Sequence, residues 1–306
     1  MIKLKNIVFI LMSIAVLTVV VFNFRDIKDK VIDEFNNKDK VILPESNIYK
    51  NNFNYLFIKQ VDDYVPDDKK DLINIIYSII NQGWDEFTFY CPIEYEDCIS
   101  DLTEISHSDV LLSNLNNFVH PYNSYSSIKT IYDDTGEITI YVNHVYSDSE
   151  IEKIDKDIDK LINDYTNDSM DVYTKIKNIH DYIIKNTKYD IARANKGDST
   201  FESNKINGVL YDHYAICSGY SDIMAVILTK LGVENYKISS DTHVWNAVHL
   251  DGWLHIDLTW DDPVTTTGRD IISHDYFMVT TNELKKLDST SSDHKYDEEI
   301  YLEFKQ

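Results

Sequence analysis

The chain has 306 residues, 43% of them apolar and 12% aromatic, which is enough for one large or two modest cores and excludes disorder throughout. A net charge of -23 excludes a nucleic-acid groove, since phosphate binding needs clustered Lys and Arg. The acidity reads instead as a solvated face.

In chain order, the first predicted element is the apolar run Ile7 to Phe24, preceded by Lys3 and Lys5 and broken only by Ser13, Thr18 and Asn23. Its length just crosses a bilayer, and no small-x-small cleavage site follows, so residues 1–24 are expected to be an uncleaved transmembrane anchor rather than a signal peptide. The lysines before the span place the N-terminus inside and the remaining chain outside the cell. Residues 25–50 are polar and charged and read as a stem.

Residues 51–150 are expected to form a small α+β domain. "KKDLINIIYSIINQG" has helical spacing of Leu72, Ile75, Ile76, Ile79 and Ile80 with Gly83 as a stop, and "WDEFTFY" suits a strand. "SIKTIYDD" and "EITIYVNHVY" form a second strand pair turning through Thr135 and Gly136. Cys91 and Cys98 are close enough in sequence to bridge in an oxidising exterior, which would leave Cys217 as the odd thiol; three free thiols fit the spacing equally.

Residues 151–306 open with two helical stretches, "DSEIEKIDKDIDKLINDY" and "DVYTKIKNIHDYIIKNTKYD". The run from Cys217 to Leu231 leaves little polar face and reads as a buried helix stopped by Gly232. Cys217 at its start is either a small buried hydrophobe or a thiol placed where unsatisfied N–H groups and the helix dipole favour a thiolate. Gly219 would let another chain segment or a substrate approach that first turn.

"THVWNAVHLDGWLHIDLTWDDP" reads as two strands around Asp251-Gly252. A two-residue turn would pair Leu250 with Trp253 and project His243 and Asp257 from opposite faces. A three-residue loop of Leu250, Asp251 and a left-handed Gly252 pairs His249 with Trp253 and puts them on one face. Only the second register collects Val244, Val248, Leu254, Ile256 and Leu258 on a single aliphatic face, with Asn246 its one polar intruder, so it is the one predicted. The other face then carries His243, Trp245, Ala247, His249, Trp253, His255, Asp257 and Thr259, with Asp257 opposite Trp245 and one diagonal step from His243. Cys217, His243 and Asp257 thereby form a nucleophile, a base and a carboxylate that orients the base. A metal site of His249, His255 and Asp257 is a competing use of the same face, but no metal motif supports it.

At these residues the chain resembles the transglutaminase-like superfamily, through "AICSGYSDIMAVILTKLGV", "THVWNAVHLDGWLHIDLTWDDP" and, more weakly, "HDYFMVTTNEL", over roughly residues 170 to 282. Val244 stands where alanine is common in that family. The resemblance implies a papain-like α+β core with the cysteine helix packed on an antiparallel sheet. It also implies Cys217 as nucleophile, His243 as base, Asp257 as its orienting partner, and no cofactor. The expected reaction is attack on a protein or peptide carboxamide to give a thioester that an amine or water then takes. The backbone N–H of Cys217 is one expected oxyanion donor, with Tyr211 and Tyr214 as candidates for a second. Trp245, Trp253 and Trp260 are candidates for an acyl or amine channel, or for core packing. The alternative to an enzyme at the cell surface is a non-catalytic binding module that keeps the fold.

Overall fold

A computed structural model describes residues 43–133, 135–196, 200–263 and 271–305. The expected anchor at 1–24 and most of the expected stem lie outside them. Among the described residues no helix is long and apolar enough to cross a membrane.

Helix α1 (Lys69–Gln82) begins where the Asp68 carboxylate accepts from the Asp71 N–H, and it ends at Gly83, whose φ of 71° is the left-handed cap expected there. Strand β1 (Glu86–Tyr90) follows, then α2 (Cys98–Ser106) and α3 (Asp109–Asn117), two short helices that strand and helix periodicity had not marked. Strands β2 (Tyr125–Tyr132) and β3 (Glu137–His144) complete an antiparallel sheet of order β1-β3-β2. Cys91 and Cys98 are joined by a disulfide, and Cys217 is a free thiol.

Helices α4 (Asp148–Tyr165) and α5 (Val172–Asn186) follow the predicted stretches, α4 starting with a capping box between Ser147 and Glu150. Strand β4 (Lys188–Tyr189) pairs in parallel with β5 (Tyr214–Ala215), and β5 leads directly into α7 (Cys217–Lys230); the short α6 (Ile191–Lys196) lies between in sequence. α7 is buried nearly all round because it lies between α4 and α5 on one side and a sheet on the other. Its Ile223, Met224, Val226, Ile227 and Leu228 join Ile154 and Ile158 of α4 and Ile176, Ile179 and Ile183 of α5 in one core. Each such side chain contributes about 1.5–3 kcal/mol on burial. The helix also carries Asp222 inside, where Lys237 Nζ at 2.7 Å and the Tyr146 hydroxyl at 2.8 Å neutralise and satisfy it.

The sheet under α7 is antiparallel, of order β6 (Glu234–Ser239), β7 (Val244–His249) and β8 (Trp253–Ile256). His249 pairs with Trp253, Val248 with Leu254 and Ala247 with His255, which is the register of the three-residue loop. Gly252 has φ 158° rather than the left-handed value predicted for it. The ladder ends at Asn246 and Ile256, so Asp257 is not a strand partner of Trp245; it leaves the sheet as the N-cap of a one-turn helix, α8 (Leu258–Asp261).

Both faces of this hairpin are covered. Val248, Ile256 and Leu258 lie in the α7 core, while the aromatic face is roofed by the chain end after helix α9 (Thr281–Leu287): Phe304 stacks on His255 at 4.1 Å. The same chain end ties helix α3 and the segment around Leu56 to the sheet that carries the hairpin. Tyr301, fully buried, receives a hydrogen bond from Asn117 of α3 and from the Ser239 N–H of β6, and Glu303 accepts from the Leu56 N–H. The described residues from 45 onwards thus pack as one compact unit, with Asn47 and Glu45, from the end of the expected stem, bonded to Gln82 and Trp84.

Candidate active site

Cys217 is the first residue of α7 and half-buried. The β4–β5 pairing holds the strand before it, and the Ile216 N–H donates to the Ser203 carbonyl at 2.8 Å. Gly219 is required by the same 203–205 segment: a Cβ there would come within 2.6 Å of the Ser203 carbonyl oxygen and 3.0 Å of that of Lys205. The close approach foreseen at Gly219 is therefore by the protein's own backbone.

His243 lies one residue before β7 and is buried, with its Nε2 2.5 Å from Asp257 Oδ2. Cys217 is near enough to the same ring to raise its basicity. Burial lowers the basicity of His243, but the Asp257 carboxylate and then Cys217 outweigh it and raise the pKa to about 10. Asp257 is likewise opposed by burial yet held well below the usual carboxylate range by His243 and His294. Its Oδ1 accepts from the Thr259 N–H at 2.8 Å and the Trp260 N–H at 3.2 Å, so the cap of α8 fixes the carboxylate that meets His243. The three residues expected to act together are together.

The expected substrate-binding residues are dispersed. Trp245 is buried, donates through Nε1 to His255 at 3.1 Å and stacks beside His243. Trp253 packs at the far end of the hairpin on Tyr236 and His249. Trp260 is half-buried beside the site, against Tyr276 and His294. The Tyr211 hydroxyl donates to Asp157 of α4 at 3.0 Å, and the Tyr214 ring stacks on Phe201.

Two residues near the triad carry no signal in the linear pattern. Tyr189 of β4 has its pKa raised by burial and then by the charges of Cys217 and Asp257, which places its hydroxyl in their field. His294, 37 residues beyond Asp257, sets its Nε2 2.9 Å from the same Oδ2 that meets His243.

The alternative metal set does not assemble: His249 Nδ1 lies 3.3 Å from Glu234, and His255 is held between Trp245 and Thr281. Among the described residues two other groups bring three donor atoms within 4.8 Å of one another, His243, Asp257 and His294, and His180, Asp181 and His274. Both are hydrogen-bonded networks, the second already holding the Lys177 ammonium 2.8 Å from Asp181.

Residues 159–258 match the family model of the transglutaminase-like superfamily, so the chain contains a transglutaminase-like domain over that stretch, within a mixed α+β structure. The superfamily includes acyltransferases and cysteine peptidases. No curated protein matches the chain significantly. Among solved structures it is similar to one described as a TGase, at 18% identity and TM-score 0.34, over 44% of this chain and 45% of the other. It is also similar to a proposed cysteine protease from Cytophaga hutchinsonii, at 14% identity and TM-score 0.28, over 48% of this chain and 65% of the other. In both cases the alignment spans less than two thirds of the solved chain.

Proposed function

We propose that this protein is a membrane-tethered, extracellular thiol enzyme that attacks protein or peptide carboxamides. The observation that carries the reading is the His243 ring 2.5 Å from Asp257, its basicity raised by that carboxylate and by Cys217. In this mechanism the Cys217 thiolate attacks the carboxamide carbon, and the C=O electrons move onto oxygen, towards the backbone N–H of Cys217 at the start of α7. The His243 imidazolium then gives its proton to the departing nitrogen as the C–N bond breaks. The product is a thioester plus ammonia or an amine. An incoming amine or water loses a proton to His243, attacks the thioester, and returns the thiol. Asp257 keeps the imidazole oriented and its cation stabilised throughout.

The Cys91–Cys98 disulfide supports an oxidising exterior, and the apolar run at 7–24 supports the tether. The test is incubation of the full chain with a glutamine-containing protein and a labelled primary amine. Covalent label supports acyl transfer, and new peptide termini or released ammonia support hydrolysis. Neither product above the level of a Cys217→Ala variant overturns the proposal.

A further inference from the structure

We infer that His294 is a positioning residue of the thiol site, which moderates the base His243 by sharing the Asp257 oxygen that orients it. The inference rests on the triad reading above. His294 lies in the irregular chain after α9, beyond the stretch matched by the family model. Its side chain is 1% exposed and packs edge-on to Trp245 at 4.9 Å, face-on to Tyr276 at 5.2 Å and against Trp260 at 5.4 Å. The aromatic cage fixes the ring, and Nε2 points at Asp257 Oδ2 from 2.9 Å. A carboxylate oxygen only accepts, so Nε2 carries the proton.

Two imidazoles therefore compete for one oxygen. Asp257 cannot respond by turning, because Oδ1 is held by two backbone N–H groups and its own N–H donates to the Tyr276 carbonyl at 3.0 Å. A second donor on Oδ2 draws off charge that would otherwise act on His243, so the imidazolium is a stronger acid than Asp257 alone would make it. That matters for a group that must give its proton to a leaving nitrogen and take one back. The titratable groups facing His294 are Asp257 and His243, with Tyr276 on its ring face, His255 within charge range, and Asp288, whose Oδ1 is 3.5 Å from Nδ1. A cavity of about 240 Å³ bordered by Asp288, Lys285 and Lys295 lies on that side.

The test is the pH profile of Cys217 alkylation by iodoacetate, an anion whose reaction is helped by the neighbouring imidazolium and so falls as that cation deprotonates. His294→Phe keeps an aromatic ring in the cage without the donor, and His294→Gln returns an N–H donor. The alkaline limb, which belongs to the coupled site, should move up by about one pH unit in His294→Phe and return towards the wild-type position in His294→Gln. A limb that stays or moves down in the phenylalanine variant overturns the inference while leaving the triad intact. If wild-type Cys217 does not react at all, the triad reading itself fails. Should the phenylalanine variant not fold, histidine-labelled wild type decides by nitrogen NMR: His294 bearing hydrogen on Nε2 agrees, and hydrogen on Nδ1 alone overturns the inference.

Discussion

Asp257 accepts hydrogen bonds from His243, His294 and the Thr259 and Trp260 N–H groups, and this concentration of donors keeps a buried carboxylate ionised. The pair it forms with His243 has a defined pH window. His243 is raised from 6.5 to about 10, so its contribution to stability is complete below 6.5 and lost as pH rises through about 10. Asp257 is depressed from 3.8, so its contribution is present above that value and lost only as pH falls below it. Asp257→Asn removes the influence that opposes burial of the imidazolium, and His243 should then titrate below its ordinary value. The wild type should lose urea resistance as pH rises towards 10 and Asp257→Asn should not; parallel curves for the two proteins would refute the assignment. His294 was not legible in the sequence for a simple reason: it reaches Asp257 across 37 residues, where no period of two or 3.6 relates them.

At the scale of elements, the hairpin and the cysteine helix were legible because each has a pattern tied to its burial. Aliphatic alternation chose the His249–Trp253 register, since a one-residue slip of one strand against the other would have put Val248 and Ile256 on opposite faces and driven one of them out of the core. The long apolar run marked α7 as a helix buried all round. The alternation did not reveal that the aromatic face is buried as well, because its cover, the chain end with Tyr296 and Phe304, has no periodicity of its own. Helices α2 and α3 escaped for a related reason: nine residues each, with two or three buried apolar positions, give little pattern to read. The first turn of α7 offers a direct test. Gly219→Ala improves helix propensity by up to about 1 kcal/mol, yet its Cβ meets backbone oxygens of Ser203 and Lys205 that cannot rotate away. We expect a net loss of about 1–3 kcal/mol in urea unfolding together with slower Cys217 alkylation. A neutral or stabilising effect would show that the 203–205 segment does not brace the thiol.

For the molecule as a whole, the chain end binds helix α3 to the sheet that carries the site, through Tyr301 and its bonds to Asn117 and Ser239. The Cys91–Cys98 bridge closes a short loop near the opposite end of the chain order, and loop-closure entropy assigns it about 2–3 kcal/mol. Replacing both cysteines with serine should lower the unfolding free energy by about that amount and leave Cys217 alkylation unchanged; no loss of stability would contradict the first point. We propose a thiol activated by a distant hairpin, and iodoacetamide alkylation at neutral pH, mapped to single cysteines, tests this most directly. Cys217 should react faster than an exposed model thiol, and His243→Ala should slow it by at least about tenfold in the folded protein. A slow Cys217 whose rate is indifferent to His243 would contradict the account and leave a transglutaminase-like fold that serves binding alone.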